Sequence, residues 1–362
     1  MTGDKKKKIT IISRESDSKT LDIIMLEEAL LKRGCDVRVL SKLLTKEKSL
    51  KTLAYAGHVL KQEAAILTSD VVVLDTYCIP ASMIPHRKGT KVVQMWHALA
   101  AVKKFGWQTV GRDGGSSEKV ARLMKMHRGY DYVVCASDVT AEHFCEAFKV
   151  SREKVVKYGL PRIDYIKSVA HGDRHEETSA KILSKYPQLK DSSKTLILYA
   201  PTFRRGKAVD VKSLTDALDP EKYNVVVKLH PLYRGDMGEQ EEDASCNIIY
   251  DESFSSFDWL SAADVIISDY SSLVTEATLA DKPLFIYAYD LDEYEENTGL
   301  NIDFGSEPIA PYVFKDAAEL AKAIGAGGYD LDLLRSFRDR YIDIDTDSCT
   351  AALADFIVSA CE

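Results

Sequence analysis

No stretch of the chain approaches the roughly 18–20 consecutive apolar residues that a membrane-spanning helix needs. The basic start MTGDKKKK is followed only by ITIIS, too short for the core of a signal peptide. The chain is therefore expected to begin and stay in the cytosol. Cysteine supplies no framework: Cys35, Cys78, Cys135, Cys145, Cys246, Cys349 and Cys361 include no CxxC pair. None sits in a Cys/His cluster with ligand spacing, so reduced thiols and no metal site are expected. Glycine-rich phosphate loops are missing, which excludes a Walker motif. Positive charge is in deficit, with 48 Lys and Arg against 56 Asp and Glu and a net charge of −8, so nucleic acid is not an expected partner. Internal repeats and low-complexity segments are also absent.

What is present is an alternation of short β-branched runs with helical patterns. Strands are expected at Ile9–Ile12, Asp36–Leu40, Val71–Asp75, Lys91–Met95 and Tyr132–Cys135. A second series follows at Thr195–Tyr199, Asn224–Lys228, Asn247–Tyr250, Val265–Ser268 and Leu284–Ile286. Runs such as VVVLD and NVVVKL are apolar almost without interruption, as in parallel strands buried on both faces. With 362 residues, the chain exceeds one usual domain. The expectation is an α/β chain of two Rossmann-like domains facing a central cleft, residues 1–170 and 190–335. Helices over 336–362 are expected to pack back across the domain gap.

Four polar stretches directly follow apolar strands, where ligands of such sheets bind. In Gln94-Met95-Trp96-His97, the imidazole titrates near neutrality and suits a general base; the plain alternative is a histidine satisfied by backbone in a βα turn. In Ala200-Pro201-Thr202-Phe203-Arg204, the guanidinium can grip a diphosphate with two parallel bonds or stand as a solvated surface charge. In Lys228-Leu229-His230-Pro231, Pro231 ends the strand and sets His230 at its carboxyl end, either toward phosphate oxygens or as a turn histidine. In Ser268-Asp269-Tyr270-Ser271-Ser272, the serines open a helix, offering an anion site or ordinary capping. Glu276, about one turn further on, can reach ribose hydroxyls.

Residues 42–61 form a weaker feature. Lys42, Lys46, Lys48, Lys51 and Lys61 surround apolar residues at helical spacing, as in a helix lying on an anionic membrane surface or an ordinary surface helix. The acidic run Asp290–Glu296 reads as a solvated loop.

Taken in order, QMWHALAAVKKFG, GYDYVVCASDVTAEHF, KYGLPRIDYI, LILYAPTFR, VVKLHP and SDYSSLVTEATLADKPLFIYAYDLDEY resemble the CDP-glycerol glycerophosphotransferase family of teichoic-acid primases and polymerases. The resemblance covers roughly residues 90–305. It implies a GT-B fold and an enzyme that needs no cofactor, with a CDP-alcohol as substrate. It implies that His97 stands by the acceptor hydroxyl and His230 by the donor diphosphate. Thr202, Arg204, Asp269, Ser271, Ser272 and Glu276 fall in the donor motifs, with Glu276 toward the cytidine ribose.

The expected function is transfer of glycerol phosphate or a related polyol phosphate from CDP-glycerol or CDP-ribitol to a polyprenyl-linked or polyol-phosphate acceptor of a wall or capsule polymer. CMP is released, on the cytoplasmic side and peripheral to the membrane. Two departures bear on substrate: Ala98-Leu99-Ala100 stands where the family often has Gly-Thr-Pro, and Thr298-Gly299 where it often has Arg-Gly. The chain lacks the long extra amino-terminal region of the larger polymerases, which favours a primase or a short-chain enzyme. The alternatives are a GT-B glycosyltransferase using a nucleotide sugar and a non-catalytic nucleotide-binding subunit of a surface-polymer complex.

Overall fold

The computed structural model describes residues 6–43, 50–112, 115–190, 193–204, 207–230 and 247–361; the side chains of 50–54 and 56 also lie outside the description. The chain divides into two compact units. The first joins Met1–Asp164 to Tyr341–Glu362, and the second is Tyr165–Arg340. The division therefore falls a few residues before the expected boundary at 170, and the final segment returns to the first unit from residue 341.

The first unit is built on six parallel strands: β1 (Lys8–Ser13), β2 (Asp36–Ser41), β3 (Val71–Leu74), β4 (Lys91–Gln94), β5 (Tyr132–Cys135) and β6 (Val155–Lys157). Their order across the sheet is β2-β1-β3-β4-β5-β6. Every residue of β3 is buried, because helices cover both faces of a parallel sheet. In register, Ile9 of β1 pairs with Val71 of β3, and Val71 with Lys91 of β4. The helix Asp138–Phe148 is capped by Ser137, whose Oγ accepts the Thr140 N–H at 3.1 Å. The last helix, Cys349–Ser359, is tied to this unit at its start and its middle. The Asp164 carboxylate accepts the N–H groups of Cys349 and Thr350, both at 2.9 Å, and Arg33 Nε meets Asp355 at 2.6 Å.

The second unit repeats the plan with β7 (Thr195–Ala200), β8 (Tyr223–Val227), β9 (Ile248–Tyr250), β10 (Val265–Ser268), β11 (Leu284–Tyr287) and β12 (Val313–Phe314). Their order is β12-β11-β10-β7-β8-β9, again all parallel. Counted within the unit, this is the 3-2-1-4-5-6 arrangement of dinucleotide-binding sheets. Buried residues of β7, β8, β10 and β11 form one apolar cluster with Leu214 and Leu320.

Each sheet reverses its direction of growth once, between β1 and β3 in the first unit and between β7 and β10 in the second. The carboxyl ends of these strand pairs are the topological switch points where open α/β sheets bind ligands. All ten strands expected from the sequence are present. The two that were not expected, β6 and β12, are sheet edges of three and two residues. The acidic run expected as a loop is mostly a helix, Leu291–Asn297. No helix among the described residues is long and apolar enough to cross a membrane. The six described cysteines are free thiols.

Candidate active site

In the first unit, β4 runs into Met95-Trp96-His97 through an unusual backbone turn. Trp96 takes a left-handed conformation with φ of 58°, which costs a non-glycine residue roughly 1–3 kcal/mol. Gln94 holds the turn. Its side-chain oxygen accepts the Trp96 N–H at 2.9 Å, and its amide nitrogen donates to Thr76 O and to Tyr130 Oη at 3.1 and 3.0 Å. Trp96 then stacks on Phe105 at 4.7 Å and packs edge-on against Phe148. Gly106 lets the following chain pass under this layer: it has φ of 57°, and a Cβ there would stand 2.3 Å from the Ala147 carbonyl oxygen. Ala98, where the family often has glycine, is not among the described residues with positive φ.

The turn delivers His97 to the β1/β3 switch point. Its Nδ1 lies 2.8 Å from the backbone oxygen of Asp75. A carbonyl only accepts, so Nδ1 carries the proton and Nε2 keeps its lone pair. The Glu15 carboxylate lies 3.8 Å from the same nitrogen, and the ring is about a third exposed. The backbone-satisfied reading of His97 thus holds for one ring nitrogen and leaves the other for chemistry.

Asp75, read in the sequence only as the end of a strand, is the group that reading missed. Its residue is 1% exposed and neither carboxylate oxygen has a hydrogen-bond partner; the Thr76 hydroxyl beside it is also orphaned. Burial pushes the Asp75 carboxyl up to about 7, with Glu15 and Asp22 adding to the effect. The Ser13 and Thr76 hydroxyls oppose the shift from close by, although neither meets hydrogen-bond geometry with the carboxylate.

In the second unit, the β7/β10 switch point gathers Thr202, Arg204 and Asp269. The Asp269 carboxylate is fully buried and accepts the Thr202 N–H at 2.9 and 3.0 Å and Arg204 Nη1 at 2.7 Å. Arg204 also donates through Nε and Nη2 to Asp290 at 2.6 and 2.9 Å. Tyr289, Tyr270 and Tyr294 surround the guanidinium at 4.7, 5.5 and 5.8 Å. Burial acts to raise the Asp290 carboxyl, but Arg204 outweighs it and holds the group below the usual range.

This arrangement corrects two expectations. Arg204 is 6% exposed and engaged by two carboxylates, so it is not a solvated surface charge. Asp269 faces its own scaffold. Asp290, assigned to a solvated loop, is the residue that closes the network. The groups at this switch point with capacity left are others. The Thr202 Oγ1 and Tyr199 Oη are buried without partners.

Ser272 occupies the N-cap position of Leu273–Glu276 yet makes no side-chain cap bond, while Ser271 Oγ accepts the Leu273 N–H at 3.3 Å. Glu276 is 2% exposed, with one carboxylate oxygen 3.5 Å from Ser272 Oγ. His230 follows β8 on an exposed position, its ring 5.7 Å from that of Phe203. Pro231, Arg205 and Gly206 lie outside the described residues. No group of three or more His, Cys, Asp or Glu side chains among the described residues is placed to hold a metal ion.

Two doubly wound parallel sheets, each with motif residues at a switch point, place the chain in the GT-B class of folds. The chain belongs to the CDP-glycerol:poly(glycerophosphate) glycerophosphotransferase family, whose profile matches residues 4–359. It is 31% identical over 319 residues to the teichoic acid ribitol-phosphate primase of Bacillus spizizenii (strain ATCC 23059 / NRRL B-14472 / W23), covering 84% of this chain and 79% of that one. It is 29% identical over 306 residues to the teichoic acid glycerol-phosphate primase of Bacillus subtilis (strain 168), covering 83% and 76%. Among solved structures, the wall teichoic acid polymerase TagF superposes with a TM-score of 0.73 at 19% identity, over 98% of this chain and 88% of that one. That likeness establishes the fold, and the family match establishes a glycerophosphotransferase of teichoic acid type.

Proposed function

We propose that this enzyme moves glycerol phosphate or ribitol phosphate from the matching CDP-polyol to a hydroxyl of a lipid-linked wall-polymer acceptor and releases CMP. Relatives named as ribitol-phosphate and glycerol-phosphate primases support both polyols. The observation that carries the mechanism is the tautomer of His97, set by the Asp75 carbonyl so that Nε2 is a base.

In this reading Nε2 takes the proton of the acceptor hydroxyl as its oxygen bonds to the β-phosphorus of the CDP-polyol. The bond from that phosphorus to the bridging oxygen breaks, and CMP leaves with the electron pair. His230, Thr202 Oγ1 and the Ser271 and Ser272 hydroxyls serve the donor phosphates, where placed hydrogen-bond donors stabilise developing charge. Glu276 accepts from the cytidine ribose. Arg204 and Asp269 act one step back, by holding the Thr202 loop in place. The reaction balances without a cofactor.

A lipid-linked acceptor also requires work at the membrane. We place the enzyme peripherally on the inner face, with the helix Leu50–Thr68 as one contact. Its described outer surface carries Lys61 between Leu60 and Leu67, which are 67% and 45% exposed. Lys46 and Lys48 lie outside the described residues, as does the side chain of Lys51.

The test is CMP release from CDP-glycerol and CDP-ribitol in parallel, with a short-chain prenyl-linked glycerol phosphate as acceptor. Acceptor-dependent CMP from one donor names the polyol. UDP or GDP release from a nucleotide sugar, with none from either CDP-polyol, overturns the reading.

A further inference from the structure

The first unit holds a pocket lined by none of the candidate site residues. It has a volume of about 560 Å³ and is formed by the segment 122–130, the turn 148–154 and Trp107. Five cationic side chains line it, Arg122, Lys125, Arg128, Lys149 and Lys154, and no acidic one does. In a chain of net charge −8, such a wall is a local reversal of the field.

The partners of these cations leave most of that charge uncancelled. Lys125 and Lys154 donate to the backbone oxygens of Met83 and Tyr130 at 3.2 and 2.7 Å, and a carbonyl takes one N–H without neutralising the group. Lys149 Nζ stands 3.5 Å from the centre of the Trp107 ring. Arg122 has an exposed helical bridge to Glu118, of the kind worth little in water. Arg128 is exposed and has no ion pair among the described residues.

Lys125, His127 and Lys149 have φ of 46°, 59° and 53°, so three of the six described non-glycine residues in the left-handed region line this one pocket. Lys125 and Lys149 owe theirs to helix ends, where the Met126 and Val150 N–H groups reach back to the Ala121 and Cys145 carbonyls at 2.9 and 3.2 Å. The pocket also adjoins the catalytic turn. Trp96 lies 4.2 Å from the His97 ring and 6.1 Å from the His127 ring, so His97 and the pocket flank one aromatic layer.

We propose that this pocket binds the phosphate or diphosphate ester of the acceptor, holding the lipid-linked chain while its terminal hydroxyl reaches His97. The assignment to the acceptor rests on the function proposed above; the anion site itself does not.

The probe is inorganic pyrophosphate, titrated calorimetrically into the full chain with CDP at saturation so that the donor side is occupied. The variant is Arg128→Ala with Lys149→Asn, two exposed positions; asparagine removes the charge and tolerates the left-handed backbone at 149. The variant is expected to bind pyrophosphate about tenfold more weakly, as loss of a charge-assisted contact implies. Its KM for the short-chain prenyl-linked acceptor is expected to rise by about the same factor, with the KM for the CDP-polyol unchanged. Unchanged pyrophosphate affinity overturns the site. Binding to phosphatidylglycerol vesicles without binding to pyrophosphate also overturns it, and makes this face a membrane-docking patch. If the wild type releases no CMP from either CDP-polyol while the variant still loses pyrophosphate, the anion site stands and the transferase reading falls.

Discussion

The two switch points solve the same topological problem in opposite ways. At β7/β10, every charge has a partner: Asp269 and Asp290 bracket Arg204, and three tyrosines close around it. At β1/β3, Asp75 is just as buried and has none. Placing charges in a protein interior is costly, and mutual pairing offsets that cost. The second unit therefore has a rigid, prepaired scaffold with neutral hydroxyls left over to meet a ligand. The first keeps an unpaired acid beside a histidine of fixed tautomer and a strained tryptophan. One switch point is prepaired; the other holds an orphaned acid.

The sharpest way to break this comparison is to remove the proposed base. His97→Ala is expected to lower kcat by about a thousandfold, within the range typical for a general base, with thermal stability and CDP-polyol binding retained. Near-normal turnover would take the base away from His97.

Removing the bracket should instead cost the fold. Arg204→Ala leaves the Asp269 carboxylate buried without its counterion and is expected to lose about 3–5 kcal/mol in urea unfolding of the second unit. Arg204→Lys should rescue little of it, because an ammonium cannot repeat the forked contacts. If Arg204→Ala keeps its stability and loses only donor affinity, the guanidinium is a ligand clamp after all.

Asp75 should behave in the reverse sense. Its folded pKa, about 7, lies above the ordinary carboxyl value of 3.8. At low pH both states are protonated and the shift has no effect. As pH rises from about 4 to 7 the unfolded chain ionises first, so the native state loses stability progressively and keeps that deficit above 7. Asp75→Asn is therefore expected to stabilise the protein by a few kcal/mol at pH 8 and by nothing at pH 3, measured as the difference between melting curves. Equal gains at both pH values would mean that the residue is not desolvated.

The smallest effect is expected at Gly106. A Cβ there collides with the Ala147 carbonyl, so Gly106→Ala should cost roughly 1–3 kcal/mol. Its effect on turnover should exceed its effect on CDP-polyol binding, since Phe105 supports Trp96. A fall in donor affinity alone would separate the aromatic layer from the acceptor side.

Local pattern was enough for the frame. Apolar runs located ten strands, eight of them inner, because a strand buried on both faces must be apolar nearly throughout. The edges β6 and β12, of three and two residues, carried too little pattern to be seen, whereas the three-residue edge β9 was read within Asn247–Tyr250. The motif residues were visible because polar side chains directly after buried strands fall at sheet ends. Their partners were not. Asp290 is 86 positions from Arg204, within a run of acids that reads as solvated; Asp75 reads as the last residue of a strand.

By itself, then, the sequence determined the class of fold, the two strand series and the histidines, serines and arginine at their ends, since these follow from periodicity and adjacency along the chain. Only the tertiary structure decided which of them are occupied. Whether a guanidinium is a clamp or a bracket, whether a carboxyl is paired or orphaned, and which nitrogen of His97 holds the proton depend on groups brought together across the chain, at distances that no local pattern encodes.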